Sequence, residues 1–220
     1  MEKFILRFLK LTIFATFAFS AVSCSPGTTD DITGLDPYLV NSGSFSQSDS
    51  NTLAGTGAVR FTNVLGGIYT NNSFALKASL DSTGNSVTVI MNSSNMAMTS
   101  SSGGVAITFT RSGANVVGSI AVNGNSAVTL NASNLSFYVP TALDVIIDVH
   151  NISSSRAHVL IWRRDATTVY TAANADIDTD VSSDYTGTYP ASAGAGVYYG
   201  LNINGATVTA AQLGAAQVAE

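Results

Sequence analysis

Residues 119–130 read SIAVNGNSAVTL. Ser119, Ile120, Ala121 and Val122 lead into Asn123-Gly124, and Ala127, Val128, Thr129 and Leu130 lead out. Apolar residues alternate on both sides of an Asn-Gly pair, whose members tolerate the positive φ that a type I′ turn requires. The stretch predicts a β-hairpin closed by a two-residue turn, and with it an antiparallel sheet.

The same signature recurs along the chain. Short period-two stretches at 58–62, 67–70, 73–80, 86–91, 105–111, 116–122, 127–131, 135–139, 143–150, 157–163, 167–171 and 197–203 read as strands. Turn residues fall between them, at 81–85 (DSTGN), 112–114 (SGA) and Asn204-Gly205. Only the tail at 208–220, with Ala210, Ala211, Leu213 and Ala215, has the composition of a short helix. Strands spaced about 8–12 residues apart imply a two-sheet sandwich or a barrel. No repeat of 20–50 residues stands out, which argues against a propeller or a solenoid.

Two segments carry a family likeness: GVAITFTRSGANVVGSIAVNGN (104–125) and GLNINGATVTAAQLGAA (200–216). Their strands, joined by tight turns, resemble the laminin-G and concanavalin A-like jelly rolls. The resemblance spans the domain in pattern, without a specific motif. It implies an all-β fold, an antiparallel two-sheet sandwich of jelly-roll type.

The N-terminus supplies an address. MEKFILRFLK carries Lys3, Arg7 and Lys10, residues 11–19 are apolar, and small residues follow at 20–23. That order is a secretory signal peptide, and the apolar run is too short to cross a bilayer. Ala21-Val22-Ser23-Cys24 resembles the relaxed, spirochaete-like lipobox of bacterial lipoproteins, in which Cys24 begins the mature chain and carries the lipid. A buried free thiol is the alternative, but Cys24 is the one cysteine of the chain and has no disulfide partner. The expected organisation is a signal peptide at 1–23, a tether at 24–36 rich in Ser, Thr, Pro and Gly, and a β-sandwich domain at 37–220. The expected location is membrane-anchored, at the outer membrane or cell surface or facing the periplasm.

Charge excludes some partners. The whole chain has a formal net charge of −5. Without residues 1–23, six basic residues face thirteen acids, a net of −7. Nucleic acid and anionic lipid headgroups call for Lys/Arg-rich surfaces, so neither is an expected partner. Membrane contact would come from acyl chains instead.

The catalytic inventory is thin. The chain has no G-x-S-x-G, no H-E-x-x-H and no Gly-rich phosphate loop. Glu220 is the only glutamate after Glu2, so no Glu pair is placed for glycoside hydrolysis. The expectation is not an enzyme.

Candidate ligand chemistry lies in LDVIIDVHNISSSRAHVLIWRRD (143–165). Alternation puts Asp144, Ile146, Asp148 and His150 on one strand face, and Arg156, His158, Leu160 and Trp162 on the matching face of the next. A hairpin turning about Ser153 sets Asp148 opposite His158 and His150 opposite Arg156. Asp144, Asp148, His150, Arg156, His158 and Trp162 then form a candidate ligand face, with Trp162 stacking on a sugar ring. The competing account is a solvated face of cross-strand charge pairs with Trp162 half buried. A metal site from His150, His158 and Asp148 is also chemically allowed.

A second cluster is NADIDTDVSSDYTG, residues 174–187, where Asp176, Asp178, Asp180 and Asp184 suit calcium. It is not an EF-hand, because Val181 stands where Gly is needed and Gly187 where a bidentate Glu is needed. The alternative is a solvated acidic loop. Nearby Tyr185, Tyr189, Tyr198 and Tyr199 either rim a groove or pack strand ends. The expected function is a lipid-anchored extracytoplasmic binding module for carbohydrate or for an envelope or host protein. A purely structural envelope lipoprotein and an Asp/His hydrolase are the other readings.

Overall fold

The structure, a computed structural model, describes residues 34–46, 51–62, 72–99, 104–122, 128–130, 135–153, 156–164, 169–180 and 198–218. The signal segment, Cys24 and residues 25–33 lie outside them. The strands are β1 (Gly34–Leu35), β2 (Tyr38–Ser46), β3 (Leu53–Phe61), β4 (Asn72–Ser79), β5 (Ser86–Ser93) and β6 (Val105–Ser112). They continue with β7 (Asn115–Val122), β8 (Val128–Thr129), β9 (Leu143–Ser153), β10 (Arg156–Arg163), β11 (Ile177–Asp180) and β12 (Tyr198–Ala215). Short 3-10 turns at Pro140–Ala142 and Ala172–Asn174 are the only helical pieces among the described residues.

The predicted all-β, antiparallel fold is the one the chain forms. The strands make one twelve-stranded sheet with the path β11-β10-β9-β4-β12-β5-β6-β7-β8, and β3 and β1 lie along the other edge of β12. Every pairing is antiparallel except that of β1 with β12.

The eighteen-residue β12 organises the whole. One of its edges pairs with β5 over Tyr198–Asn204 and then with β4 over Thr207–Ala215. Between the two halves, Gly205 takes φ +65°, a left-handed conformation that suits glycine, and the ladder to β3 slips by one residue. A second slip follows between Val208 and Ala210. Bulges of this kind let a strand turn a corner and leave one layer for the other.

Contacts between the two ends of β12 measure the fold-over. Asn72 pairs with Ala215 at the far end of β12, yet its Nδ2 donates to the Tyr199 hydroxyl near the start at 2.9 Å. Sixteen residues of straight strand would hold those positions about 50 Å apart. The sheet therefore curls over, and the two halves face each other across one core. Phe74, Leu76, Val89, Ile107, Phe109, Val145, Ile147, Ile161, Leu201 and Ile203 are all buried in it.

Several expectations are corrected. The tail predicted as a short helix is the second half of β12. Ala206, Val208, Ala210 and Ala211 are buried at the centre of the sheet, and their tertiary packing overrides alanine's helix propensity. The opening hairpin exists as β7–β8, but Ile120 pairs with Val128, whereas a two-residue turn at Asn123-Gly124 would pair it with Ala127. Residues 123–127 themselves lie outside the described set. Residues 135–139 form a turn rather than a strand. Gly34–Leu35, read as the end of the tether, is a short strand on β12. Asp36 secures it, accepting the Leu213 N–H at 2.7 Å. Burial pushes the Asp36 pKa up, and that backbone hydrogen bond pulls it back in part.

Candidate functional site

The half of the sheet made by β4, β9, β10, β11 and the end of β12 has an outer face, and Asp144, Asp148, His150, His158 and Trp162 share it, but the register differs from the expected one. His158 lies opposite His150, Leu160 opposite Asp148, Trp162 opposite Ile146, and the ladder slips between Arg156 and Ala157. The shift from the expected pairing is two residues, so the face is kept while every direct partner changes.

Most of that face is covered. Trp162 is 1% exposed and belongs to a small second core with Ala75, Ile146, Leu160, Tyr170 and Ala210. Its Nε1–H donates to the carbonyl of Thr171 and to Asn174 Oδ1, both at 3.0 Å, and Tyr170 meets its ring edge-on at 5.6 Å. Asp148 is fully buried, and its Oδ2 accepts the Gln217 N–H at 2.6 Å and the Val218 N–H at 3.1 Å. The end of the chain thus straps down over the middle of the face, with Val218 packed on the Trp162 cluster.

His150 is buried with its Nε2 3.5 Å from Asp148 Oδ2. His158 is less buried, with its Nε2 2.7 Å from Asp178 Oδ1. Arg156 lies in β10 opposite Ser153, and its side chain falls outside the described residues.

The acidic run is partly a strand. Ile177–Asp180 forms β11, which holds alternate residues about 7 Å apart instead of gathering them. Asp176 Oδ2 accepts from the Tyr138 hydroxyl at 3.0 Å and from the Arg163 backbone N–H and Nε at 3.0 and 3.2 Å. Asp178 is taken up by His158. Among the described residues no group of three or more His, Cys, Asp or Glu is arranged to hold a metal ion. The Asp180 side chain, Asp184, Tyr185 and Tyr189 fall outside the described set. Tyr198 stacks under the Arg60 guanidinium at 5.2 Å, and Tyr199 is buried in the main core.

The open part of the face is a cleft of about 420 Å³ at the β4–β9 end, lined by Lys77, Ser79, Thr141, Leu143, Asp144 and Thr209. The register sets Lys77 of β4 directly opposite Asp144 of β9, and Lys77 Nζ lies 3.5 Å from Asp144 Oδ2. Arg164 Nε stands 3.7 Å from the other carboxylate oxygen. Thr209 enters at the second slip of β12. The 3-10 turn carrying Thr141 is pinned because the Pro140 carbonyl accepts the Leu80 N–H at 2.8 Å. Ser79 Oγ donates to Asp81 Oδ1 at 2.5 Å.

Chemically, the cleft offers an ammonium, a carboxylate and two hydroxyls on paired strands, with a third hydroxyl on the 3-10 turn, around an apolar floor. Its size is that of a small-molecule site. Of the predicted residues only Asp144 lines it. Lys77 was not singled out, although FALKASL carries the one lysine beyond residue 10, in an otherwise apolar strand, and that isolation was a readable signal.

No family model matches the chain, and no curated protein is similar to it in sequence. Solved structures are similar in shape. A carbohydrate-binding module, CBM66 from Bacillus subtilis, has 11% identity and a TM-score of 0.42, covering 83% of this chain and 97% of its own. The exoplasmic/lumenal domain of VIP36 in a Ca²⁺/Man-bound form has 13% identity and a TM-score of 0.46, covering 83% and 84%. An alginate lyase, PA1167 from Pseudomonas aeruginosa, has 10% identity and a TM-score of 0.40, covering 81% of each chain. At these identities and TM-scores the likenesses say nothing of what this chain binds.

Proposed function

We propose that the chain is a lipid-anchored, extracytoplasmic binding module whose ligand is a hydroxyl-rich small molecule, carbohydrate first, held in the Lys77–Asp144 cleft. The cleft is the observation that carries the reading. A carboxylate accepts hydrogen bonds from two hydroxyls, an ammonium donates to others, Thr141 and Thr209 do either, and Ser79, whose proton goes to Asp81, accepts. All but Thr141 stand on paired strands, and Thr141 on the pinned 3-10 turn, so their orientation is set before any ligand arrives. A binding role rather than a catalytic one is supported by the lining itself. It holds one carboxylate and no imidazole, and that carboxylate is flanked by two cations. Anchoring through Cys24 rests on the residues at 21–24, with the Ser/Thr/Gly-rich stretch that follows as the tether.

Glycan-array and calorimetric screening tests the ligand. Asp144→Asn is expected to weaken sugar binding about 10-fold or more, the size of a lost hydrogen bond to a charged group. Its melting temperature should fall, because Asp144 also faces the largely buried Arg164 side chain, so binding is compared well below both midpoints. Equal binding by wild type and Asp144→Asn would remove the cleft as the site. The anchor is read separately. Wild-type chain expressed in a diderm bacterium should take up labelled palmitate and partition into detergent, and Cys24→Ala should do neither. Equal labelling of the two would exclude Cys24 as the point of attachment.

A further inference from the structure

Among the described residues, five charged side chains gather at the Lys77–Asp144 cleft, and they do not balance. Asp144 lies between two cations, with Lys77 Nζ 3.5 Å from one carboxylate oxygen and Arg164 Nε 3.7 Å from the other. Next to them, the Asp81 carboxylate accepts from the Ser79 hydroxyl. Arg111 reaches the same turn, its Nη1 donating to the Leu80 and Asp81 carbonyls at 3.0 and 2.6 Å. Three positive groups thus meet two negative ones, in a chain whose formal net charge is −5.

The two cations on Asp144 are not equivalent. Arg164 is largely buried, with a side chain 6% exposed, and its backbone N–H donates to the Asp144 carbonyl at 3.0 Å, so it is held in place. Lys77 lines the cleft, is 24% exposed and carries its charge on a flexible four-carbon stem. When Lys77 turns toward a ligand, Asp144 keeps Arg164 as its counter-ion, and no carboxylate is left alone in a half-buried site. The ammonium is therefore the charge that the cleft can offer.

We propose that the ligand is an acidic sugar whose negative group pairs with Lys77, a step that rests on the cleft being the sugar site. A neutral hydroxyl would accept the ammonium's hydrogen bond and leave its charge uncompensated. A carboxylate does both, and the bond between two ionised groups is the stronger. Asp144 and the hydroxyls of Thr141 and Thr209 remain for the hydroxyls of the ring. Asp144 also sets where the acid lies, because its own charge repels a carboxylate from its side of the cleft and leaves the Lys77 end.

Matched pairs of methyl glycosides test it: glucose and glucuronic acid, galactose and galacturonic acid, mannose and mannuronic acid. The members of each pair differ only at C6, a neutral hydroxymethyl in one and a carboxylate in the other. Calorimetric titration of the intact protein at pH 7, where the acids are ionised, should show at least one acid bound about 10-fold more tightly than its parent. Lys77→Gln, which keeps a donor and removes the charge, should bring that ratio to about 1, and Lys77→Arg should preserve the preference. Asp144→Asn should raise the ratio, since it removes the repulsion. Opposite shifts from the two members of one ion pair do not arise from a general loss of structure. Equal affinity for acid and parent in wild type, or a Lys77→Gln variant that keeps the preference, overturns the proposal while the carbohydrate reading stands. Binding of none of the six overturns that reading and this one with it.

Discussion

Replacing Trp162 by alanine should destabilise the fold by about 3–5 kcal/mol, the cost of emptying a large aromatic site in a packed cluster. The indole is 1% exposed and is the largest member of the second core. It also holds the loop above it. Its N–H donates to the Thr171 carbonyl and to Asn174 Oδ1. The same Asn174 oxygen accepts the Thr171 N–H, and Asn174 Nδ2 donates to the Val169 carbonyl. Loss of the indole therefore leaves a cavity under Tyr170 and strips one donor from a loop whose other bonds converge on Asn174. Urea unfolding followed by far-ultraviolet circular dichroism measures the loss, and Trp162→Phe separates ring from N–H by restoring most of the volume. Sugar binding in the Lys77–Asp144 cleft should persist in Trp162→Phe. A Trp162→Ala protein with wild-type stability and no sugar binding would restore the indole as a ligand contact.

Trp162 also shows where the sequence stops being informative. Alternation along 143–163 places Asp144, Asp148, His150, His158 and Trp162 on one face, because side-chain direction in a strand depends only on parity. Parity does not say what lies above the face. Its cover comes from the 169–175 loop and from residues 216–218, more than fifty positions from Trp162, and no local pattern encodes that contact. Register fails for a similar reason. With both faces of β9 and β10 buried, two pairings of the same parity satisfy the hydrophobic pattern equally, and alternation alone does not choose between them. The second half of β12 reads as helix because its alanines have high intrinsic helix propensity, while its strand neighbours β1, β3 and β4 are invisible in the sequence. The edge strand β2 went unrecognised because YLVNSGSFS is mostly exposed and lacks an apolar face to alternate. The antiparallel all-β class, by contrast, was legible throughout, since each Gly/Asn turn and each short apolar alternation pointed to it independently. Asp144 stands out in the sequence by its place beside other polar groups. Its partner Lys77 and the hydroxyls of Ser79, Thr141 and Thr209 come together only once β4, β9 and β12 are paired.

Tyr199→Phe should cost about 1–3 kcal/mol at neutral pH and should alter the alkaline unfolding of the protein. The Tyr199 hydroxyl is fully buried, donates to Asn92 Oδ1 and accepts from Asn72 Nδ2 at 2.9 Å. Asn72 stands on β4 and Asn92 on β5, two strands that share one edge of β12 at opposite ends. The three side chains therefore tie the fold-over shut from inside, and deleting the hydroxyl leaves buried amide groups short of a partner. Asn72 Nδ2 retains Asn92 Oδ1 at 3.4 Å, which keeps the loss below that of an abandoned pair. Burial also pushes the phenol's pKa well above its ordinary value. Above pH ~10 the unfolded chain releases this proton and the folded chain keeps it, so the folded state binds more protons and stability falls as pH rises. The slope from one such group is about 1.4 kcal/mol per pH unit, and it continues until the folded phenol itself ionises. Wild type and Tyr199→Phe should therefore differ most near neutrality and converge at high pH, because the variant has no proton to release at this position. Parallel pH–stability curves for the two proteins between pH 9 and 11.5 would show that Tyr199 ionises as readily in the fold as outside it, and that the network does not close the sheet.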